Sequence, residues 1–95
     1  MSLEELVSKY VNSAEHVFRE LQIAGTCTNV DVSCITKAVE LAKAYLKDAK
    51  YYRDQKRFAV SLASVSYCEG LLDALKMLKA VKFEWPEKKE PKSRR

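Results

Sequence analysis

One pair of side chains in this sequence has a spacing that suggests chemistry, Glu69 and Asp73. On a helix, carboxylates at this separation share one face, where they could bind a divalent ion or act as acid and base. The same spacing is common on solvated helix faces, and no second helix rich in carboxylates converges on the pair. We therefore predict no catalytic residue and no metal site.

The other groups that could do chemistry lack partners. His16 is the single histidine and lies at a predicted exposed position on a helix. Cys27, Cys34 and Cys68 match no common zinc spacing, so we expect packing thiols. No Gly-rich phosphate loop is present, and no base lies near the serines in sequence. The sequence predicts a protein that is not an enzyme and has no cofactor.

Nucleic-acid binding is the alternative function that the sequence leaves open. The second predicted helix is rich in lysine and tyrosine, and tyrosine rings beside cations can stack on bases. Tyrosines at helical spacing, however, more often pack with the hydroxyl at the rim of a core. Most of the net charge of +4 comes from residues 86–95, PEKKEPKSRR, and not from the folded body. A weak RNA or nucleotide binder that uses helix 2 and this tail is therefore the second hypothesis.

Composition favours a single all-α domain. The chain has 95 residues, of which 47% are hydrophobic, with only two Gly and two Pro, fewer turn residues than a β-rich domain needs. No apolar stretch is long enough for a membrane span, and the acidic start MSLEELVSKY is unlike a secretory signal. These features predict a cytoplasmic protein with no membrane contact.

Apolar periodicity predicts three helices, at about residues 2–24, 29–54 and 57–82. Short connections between them favour an up-down-up three-helix bundle of residues 1–85, followed by a disordered basic tail at 86–95. Ser2 and Glu5 have the spacing of a capping box for helix 1, and Gly25 is expected to end that helix. Thr28 and Asp31 have the same spacing at the start of helix 2.

Helix 3 is apolar over most of its circumference, with a narrow polar strip at Ser66-Glu69-Asp73-Lys76. A helix of this kind must be covered on two sides, so we expect helix 3 to be the central element. Phe83 and Trp85 are expected to fold back over the open end of the bundle.

A short motif in helix 3 resembles a known family. The motif is Tyr67-x-x-Gly70-x-Leu72-Asp73-Ala74, preceded by Tyr45-Leu46-x-Asp48-Ala49-x-Tyr51-Tyr52. Over roughly residues 38–80, the chain is similar to the archaeal domain of unknown function 357. The resemblance implies a small helical bundle without an assigned activity and an accessory role beside a nucleotide-using enzyme. Family members usually carry Gly in the interhelical turn, where this chain has Gln55-Lys56-Arg57.

The residues Tyr67, Glu69, Gly70 and Asp73 therefore form a candidate interaction or structural motif. Gly in mid-helix costs about 1 kcal/mol against Ala, and a close helix crossing near residues 38–42 would offset that cost. Asp73 is expected near the start of helix 2, within reach of Lys37 or of backbone amides at 28–31. The leading hypothesis is a non-enzymatic interaction module with an unidentified protein partner, as a monomer or a weak homodimer.

Overall fold

The computed structural model describes residues 1–24 and 31–86, and these form three helices and one short ladder of strands. The elements are α1 (Leu3–Glu20), β1 (Gln22–Ile23), α2 (Val32–Asp54), α3 (Phe58–Met77) and β2 (Val81–Lys82). The predicted all-α three-helix fold is confirmed. The predictions for Gly25, Cys27, Thr28 and residues 87–95 of the tail lie outside the described residues.

Side-chain caps fix where α1 and α2 begin. Ser2 Oγ accepts a hydrogen bond from the amide of Glu5 at 3.1 Å, and Glu5 Oε1 accepts one from the amide of Ser2 at 2.9 Å. The predicted capping box of α1 is thus confirmed. At α2, Asp31 is itself the N-cap, and its carboxylate accepts from the amide and the hydroxyl of Ser33 at 3.4 and 2.8 Å. The helix therefore begins at Val32 and not at the predicted residue 29.

Helix α2 ends in a left-handed turn that reverses the chain into α3. The amide of Arg57 donates to the carbonyl of Tyr52, and that of Lys56 donates to Arg53, both at 2.9 Å. This is the hydrogen-bond pattern of a Schellman motif, which requires a residue with positive φ. Lys56 has a φ of 63° and fills the place that Gly usually takes.

Helix α3 ends in the same way, five residues before the predicted end at residue 82. The amide of Ala80 donates to the carbonyl of Leu75, and that of Lys79 donates to Lys76, both at 2.9 Å. Lys79 has a φ of 62°. The prediction ran through this point because Lys is a good helix former and carries no stop signal in sequence.

A short antiparallel ladder joins the segments that follow α1 and α3. Gln22 pairs with Lys82 and Ile23 with Val81, and the amide of Ala24 donates to the carbonyl of Ala80 at 2.9 Å. Both segments were predicted as helix. The predicted helix 1 is therefore too long by residues 21–24, and the predicted helix 3 wrongly includes β2. Burial of Ala80 and Val81 stabilises the extended form here.

The core lies between the three helices, and α3 packs most extensively against α2 and also against α1. One face of α3 is fully or almost fully buried, at Ser61, Val65, Cys68, Leu72 and Leu75.

Two polar contacts also join the helices. The buried hydroxyl of Ser61 donates to the carbonyl of Ala49 at 2.6 Å, which ties α3 to α2. Lys50 of α2 forms an ion pair with Glu15 of α1. The pair agrees with the sequence, in which residues 1–24 are mainly acidic among their charged residues and residues 32–57 mainly basic.

Candidate functional site

The face of α3 that points away from the core is uncharged and open to solvent. We call it the outer face, and it consists of Ala59, Val60, Ala63, Ser66, Tyr67, Gly70, Leu71, Ala74, Met77 and Leu78. Its large side chains are well exposed, at 79% for Met77, 64% for Tyr67, 61% for Leu78 and 37% for Val60. The predicted central position of α3 is confirmed, since it packs against both α1 and α2. The predicted cover on a second side is not found among the described residues, because α1 and α2 lie on the same side of α3.

A shallow depression of about 520 Å³ lies at the middle of the outer face. Its lining residues all belong to α3, namely Ala63, Ser66, Tyr67, Gly70 and Leu71. A Cβ atom added at Gly70 would meet nothing within 4 Å. The predicted close crossing of Gly70 with residues 38–42 is thus wrong. Gly70 instead leaves an open, side-chain-free surface beside a large aromatic ring.

Tyr67 forms one rim of this depression, and a neighbouring ring holds it. The rings of Tyr67 and Tyr45 stack with centroids 5.2 Å apart and planes 18° from parallel. Tyr45 is half-buried and packs on the core, so it fixes one side of the Tyr67 ring. Stacking of this kind lowers the rotamer freedom that Tyr67 would lose in a contact. The outer face therefore presents a held aromatic ring next to a depression.

Asp73 lies on the flank of the outer face and binds the C-terminal segment. The indole Nε1–H of Trp85 donates to Asp73 Oδ1 at 2.8 Å. Lys76 lies one turn along, 3.5 Å from a carboxylate oxygen of Glu84 and 5.0 Å from the ring centroid of Phe83. Phe83 is buried, and its ring meets that of Trp85 edge to face. The predicted fold-back of these two aromatic residues is confirmed.

The described residues give Asp73 a different partner from Lys37, and the amides of residues 28–30, which were also expected to contact it, lie outside the described residues. The hydrogen bond of its carboxylate in the described chain goes to Trp85, and Lys37 is exposed on α2. This partner was missed because it lies in a segment without helical periodicity, so no register argument could place it. Asp73 serves the packing of the chain end on α3, which agrees with a structural role.

Glu69 and Asp73 are both half-buried on one flank of α3, as their spacing predicted. Within residues 1–24 and 31–86, no group of three or more metal-binding side chains comes together around them. Glu69 lies beside Cys68, whose thiol is buried. Burial, and secondarily the charge of Glu69, raises the pKa of Cys68 from 9.0 to about 12. Such a thiol stays protonated and unreactive at neutral pH.

The remaining candidates for chemistry lie apart from this site. Cys34 is exposed at the start of α2, so the prediction that it packs in the core is wrong. The imidazole Nε2 of His16 lies 3.3 Å from a carboxylate oxygen of Glu20, one turn further along α1. Neither residue is part of the outer face.

Two of the cations that an RNA contact could use make contacts within the protein. Lys50 pairs with Glu15, as described above. The guanidinium of Arg57 lies over the ring of Tyr52, 5.1 Å from its centroid. Binding of a phosphate by either of these two cations would compete with the contact that it makes in the protein.

The length and composition of α3 also meet the criteria of a membrane-spanning helix. Its mean hydropathy is 1.3, and 28% of the apolar window is buried. It is the one such helix among the described residues, and core helices of soluble proteins meet the same criteria. One face of α3 packs in the bundle core, and most of its other apolar residues form the outer face.

Comparison with known proteins identifies a family. A family model described as "Protein of unknown function (DUF357)" matches residues 9–81, which include α2, α3 and most of α1. No curated protein and no solved structure matches the chain.

Proposed function

Since this chain belongs to the DUF357 family, whose description names no activity, we propose from its geometry that it is a non-enzymatic protein-interaction module. The observation that carries this proposal is the outer face of α3, which is continuous and uncharged and is left uncovered by residues 1–24 and 31–86. An apolar patch of a few hundred Å² on a protein surface is often functional. In this proposal the outer face is the docking surface, and the protein works in the cytoplasm as an accessory to other proteins.

The shape of the outer face favours a protein as the bound molecule. A small ligand is usually enclosed in a cleft, whereas the depression over Gly70 is shallow and lined by one helix only. Tyr67 is a large, held aromatic side chain at the centre of the face, the kind of residue that dominates protein interfaces. An amphipathic helix can lay its apolar side along such a surface.

The charge of the outer face separates this proposal from the nucleic-acid alternative. The face contains no Lys or Arg, so it offers nothing to a phosphate backbone. A nucleic acid would have to bind the basic residues of α2 and the tail instead. An accessory role beside a nucleotide-using enzyme follows from the family resemblance alone and stays a prediction.

A photo-crosslinking amino acid at position 63 tests the proposed surface. Ala63 lies in the depression, and Ala44 is an exposed alanine on α2 that serves as the matched control. In cells that express the full chain, we expect discrete protein adducts from position 63 and none from position 44. Absence of protein adducts at position 63 would contradict the proposal. RNA binding that weakens steeply with salt would favour the alternative.

A further inference from the structure

The outer face has the spacing of a coiled-coil seam. Six of its residues follow one another at alternating steps of three and four, which keeps a single line along the helix. They are Val60, Ala63, Tyr67, Gly70, Ala74 and Met77. The line is straddled by Ala59, Ser66, Leu71 and Leu78. A seam of this kind is formed when a second helix packs along it, with side chains of each helix entering the gaps of the other.

The order of large and small residues along this seam is complementary to its own reverse. In an antiparallel pair of α3 helices centred between Tyr67 and Gly70, each Tyr67 faces Gly70 of the second copy. In the same register, Val60 faces Met77 and Ala63 faces Ala74. The ring of Tyr67 would enter the depression that Gly70 leaves open. Large residues thus meet small ones at the centre of the pair.

A parallel pair does not have this complementarity. It would place the two Tyr67 rings against each other and leave the two Gly70 positions facing across a void. Overpacking at one layer and a cavity at another each cost stability. The sequence of the seam therefore selects the antiparallel orientation, in which the two helix dipoles also oppose each other favourably.

The exposed area of the outer face fits a weak dimer, since it is smaller than a standard interface. Four large side chains are 37–79% exposed, which corresponds to roughly 450 Å² at ~150–250 Å² for a large side chain. The smaller residues of the seam add to this apolar area. Standard interfaces bury ~800 Å² per partner, and weaker ones bury less. No charge on the face would have to be desolvated, so little opposes the burial of this area.

We propose that the outer face of α3 binds a second copy of this chain, as an antiparallel α3–α3 dimer in which each Tyr67 fills the depression over Gly70 of the other copy. This inference rests on the proposed function, because it names the partner that docks on the same surface. The contact would use the same surface on both copies, as two-fold symmetric dimers do.

Sedimentation of the purified full chain over a range of concentrations tests the dimer. We expect the mass to rise with concentration from 10.9 kDa towards twice that value. Ala63→Glu would place a charge in the dry seam and should raise the dissociation constant at least ~100-fold. Ala44→Glu adds the same charge on α2 and should leave the dissociation constant unchanged. Circular dichroism of both variants checks that the helices stay folded.

Engineered disulfides test the orientation. In an antiparallel pair, a Val60→Cys/Met77→Cys double variant should oxidise to a covalent dimer, because the two positions face each other. Each single variant should form no more covalent dimer than the parent, which has only the native cysteines. In the antiparallel pair, the same residue of the two copies lies roughly 25 Å apart, at 1.5 Å per residue along the helix. Efficient crosslinking of the single variants would overturn the antiparallel arrangement.

Other outcomes would refute the dimer, and they show whether the proposed docking function fails with it. A parent chain that stays monomeric at ~1 mM, a concentration at which weak specific dimers form, would refute the dimer. If position 63 then still crosslinks to a different protein in cells, the docking surface stands and only its partner is wrong. If position 63 crosslinks to no protein at all, both proposals fail. A dimer unaffected by Ala63→Glu would place the interface elsewhere and would also refute this inference.

Discussion

Replacing Gly70 by Ala should stabilise the folded chain. Gly70 lies in the interior of α3, where Gly is less favourable than Ala by about 1 kcal/mol. The added methyl group meets no atom within 4 Å, so no steric cost offsets this gain. For a domain of this size, 1 kcal/mol corresponds to a rise in Tm of about 4–8 °C. The reverse change at an equivalent exposed position, Ala63→Gly, should lower Tm by a similar amount.

Urea unfolding followed by far-UV circular dichroism measures both variants against the parent. Measurements at several protein concentrations separate the helix effect from self-association, because only self-association makes the stability depend on concentration. A Gly70→Ala variant that is less stable than the parent in the dilute limit would refute the reasoning. It would mean that a backbone does approach Gly70, as the sequence alone suggested.

Three further changes test other contacts of the structure. Asp73→Ala should cost about 1 kcal/mol and shift the fluorescence of Trp85, the single tryptophan, to longer wavelength, because its indole loses a charged acceptor; an unchanged spectrum would contradict the contact. Lys79→Gly should stabilise by about 0.5 kcal/mol in thermal unfolding, since relief of the left-handed conformation exceeds the added entropy of the unfolded chain, whereas Lys79→Ala should be neutral. The thiol of Cys68 ionises near 9.0 in the unfolded chain and at about 12 in the folded one, so stability should fall as pH rises from 9 to 12, with a slope of at most ~1.4 kcal/mol per unit. Cys68→Ala should remove that slope, and a slope retained in the variant would assign it to another group.

The existence of the three helices and the buried positions of α1 could be predicted, because both follow from patterns among residues close in sequence. The repeating apolar positions of α1, such as Val7, Ala14 and Val17, are buried as their spacing predicted. The cap formed by Ser2 and Glu5 is a short sequence pattern with one structural meaning.

The end of α2 lies at the predicted residue, Asp54, but the ends of α1 and α3 were harder to predict, because the sequence carries no stop signal at Glu20 or Met77. Lys56 and Lys79 take left-handed conformations that usually belong to Gly. What holds Lys79 there is the burial of Ala80, Val81 and Phe83 in the segment that follows, which is a tertiary effect. Propensity alone extends α3 through this turn.

The outer face shows a second limit of sequence reasoning. Apolar periodicity says that a face of α3 is to be covered, but it does not say whether the cover belongs to the same chain. Gly70 illustrates the point, since glycine suits both a close helix crossing and an open depression. The two cases are distinguished by the structure, in which α2 contacts Tyr67 through Tyr45 and leaves the space at Gly70 open.

The ladder between β1 and β2 has a consequence for the order in which the chain folds. It pairs residues from near the two ends of the described chain, whereas α2 and α3 are joined by a turn of a few residues. Contacts between residues close in sequence form at a small entropic cost. We therefore expect the α2–α3 hairpin to form early and the β1–β2 ladder to form late. Native-state hydrogen exchange reports this order in reverse. We expect the amide of Ala24 to exchange when α1 opens, while the amides of the α2–α3 hairpin stay protected. Equal protection of the Ala24 amide and the hairpin amides would show that the domain opens as one unit. We therefore expect the α2–α3 hairpin to form first and α1 to join it last.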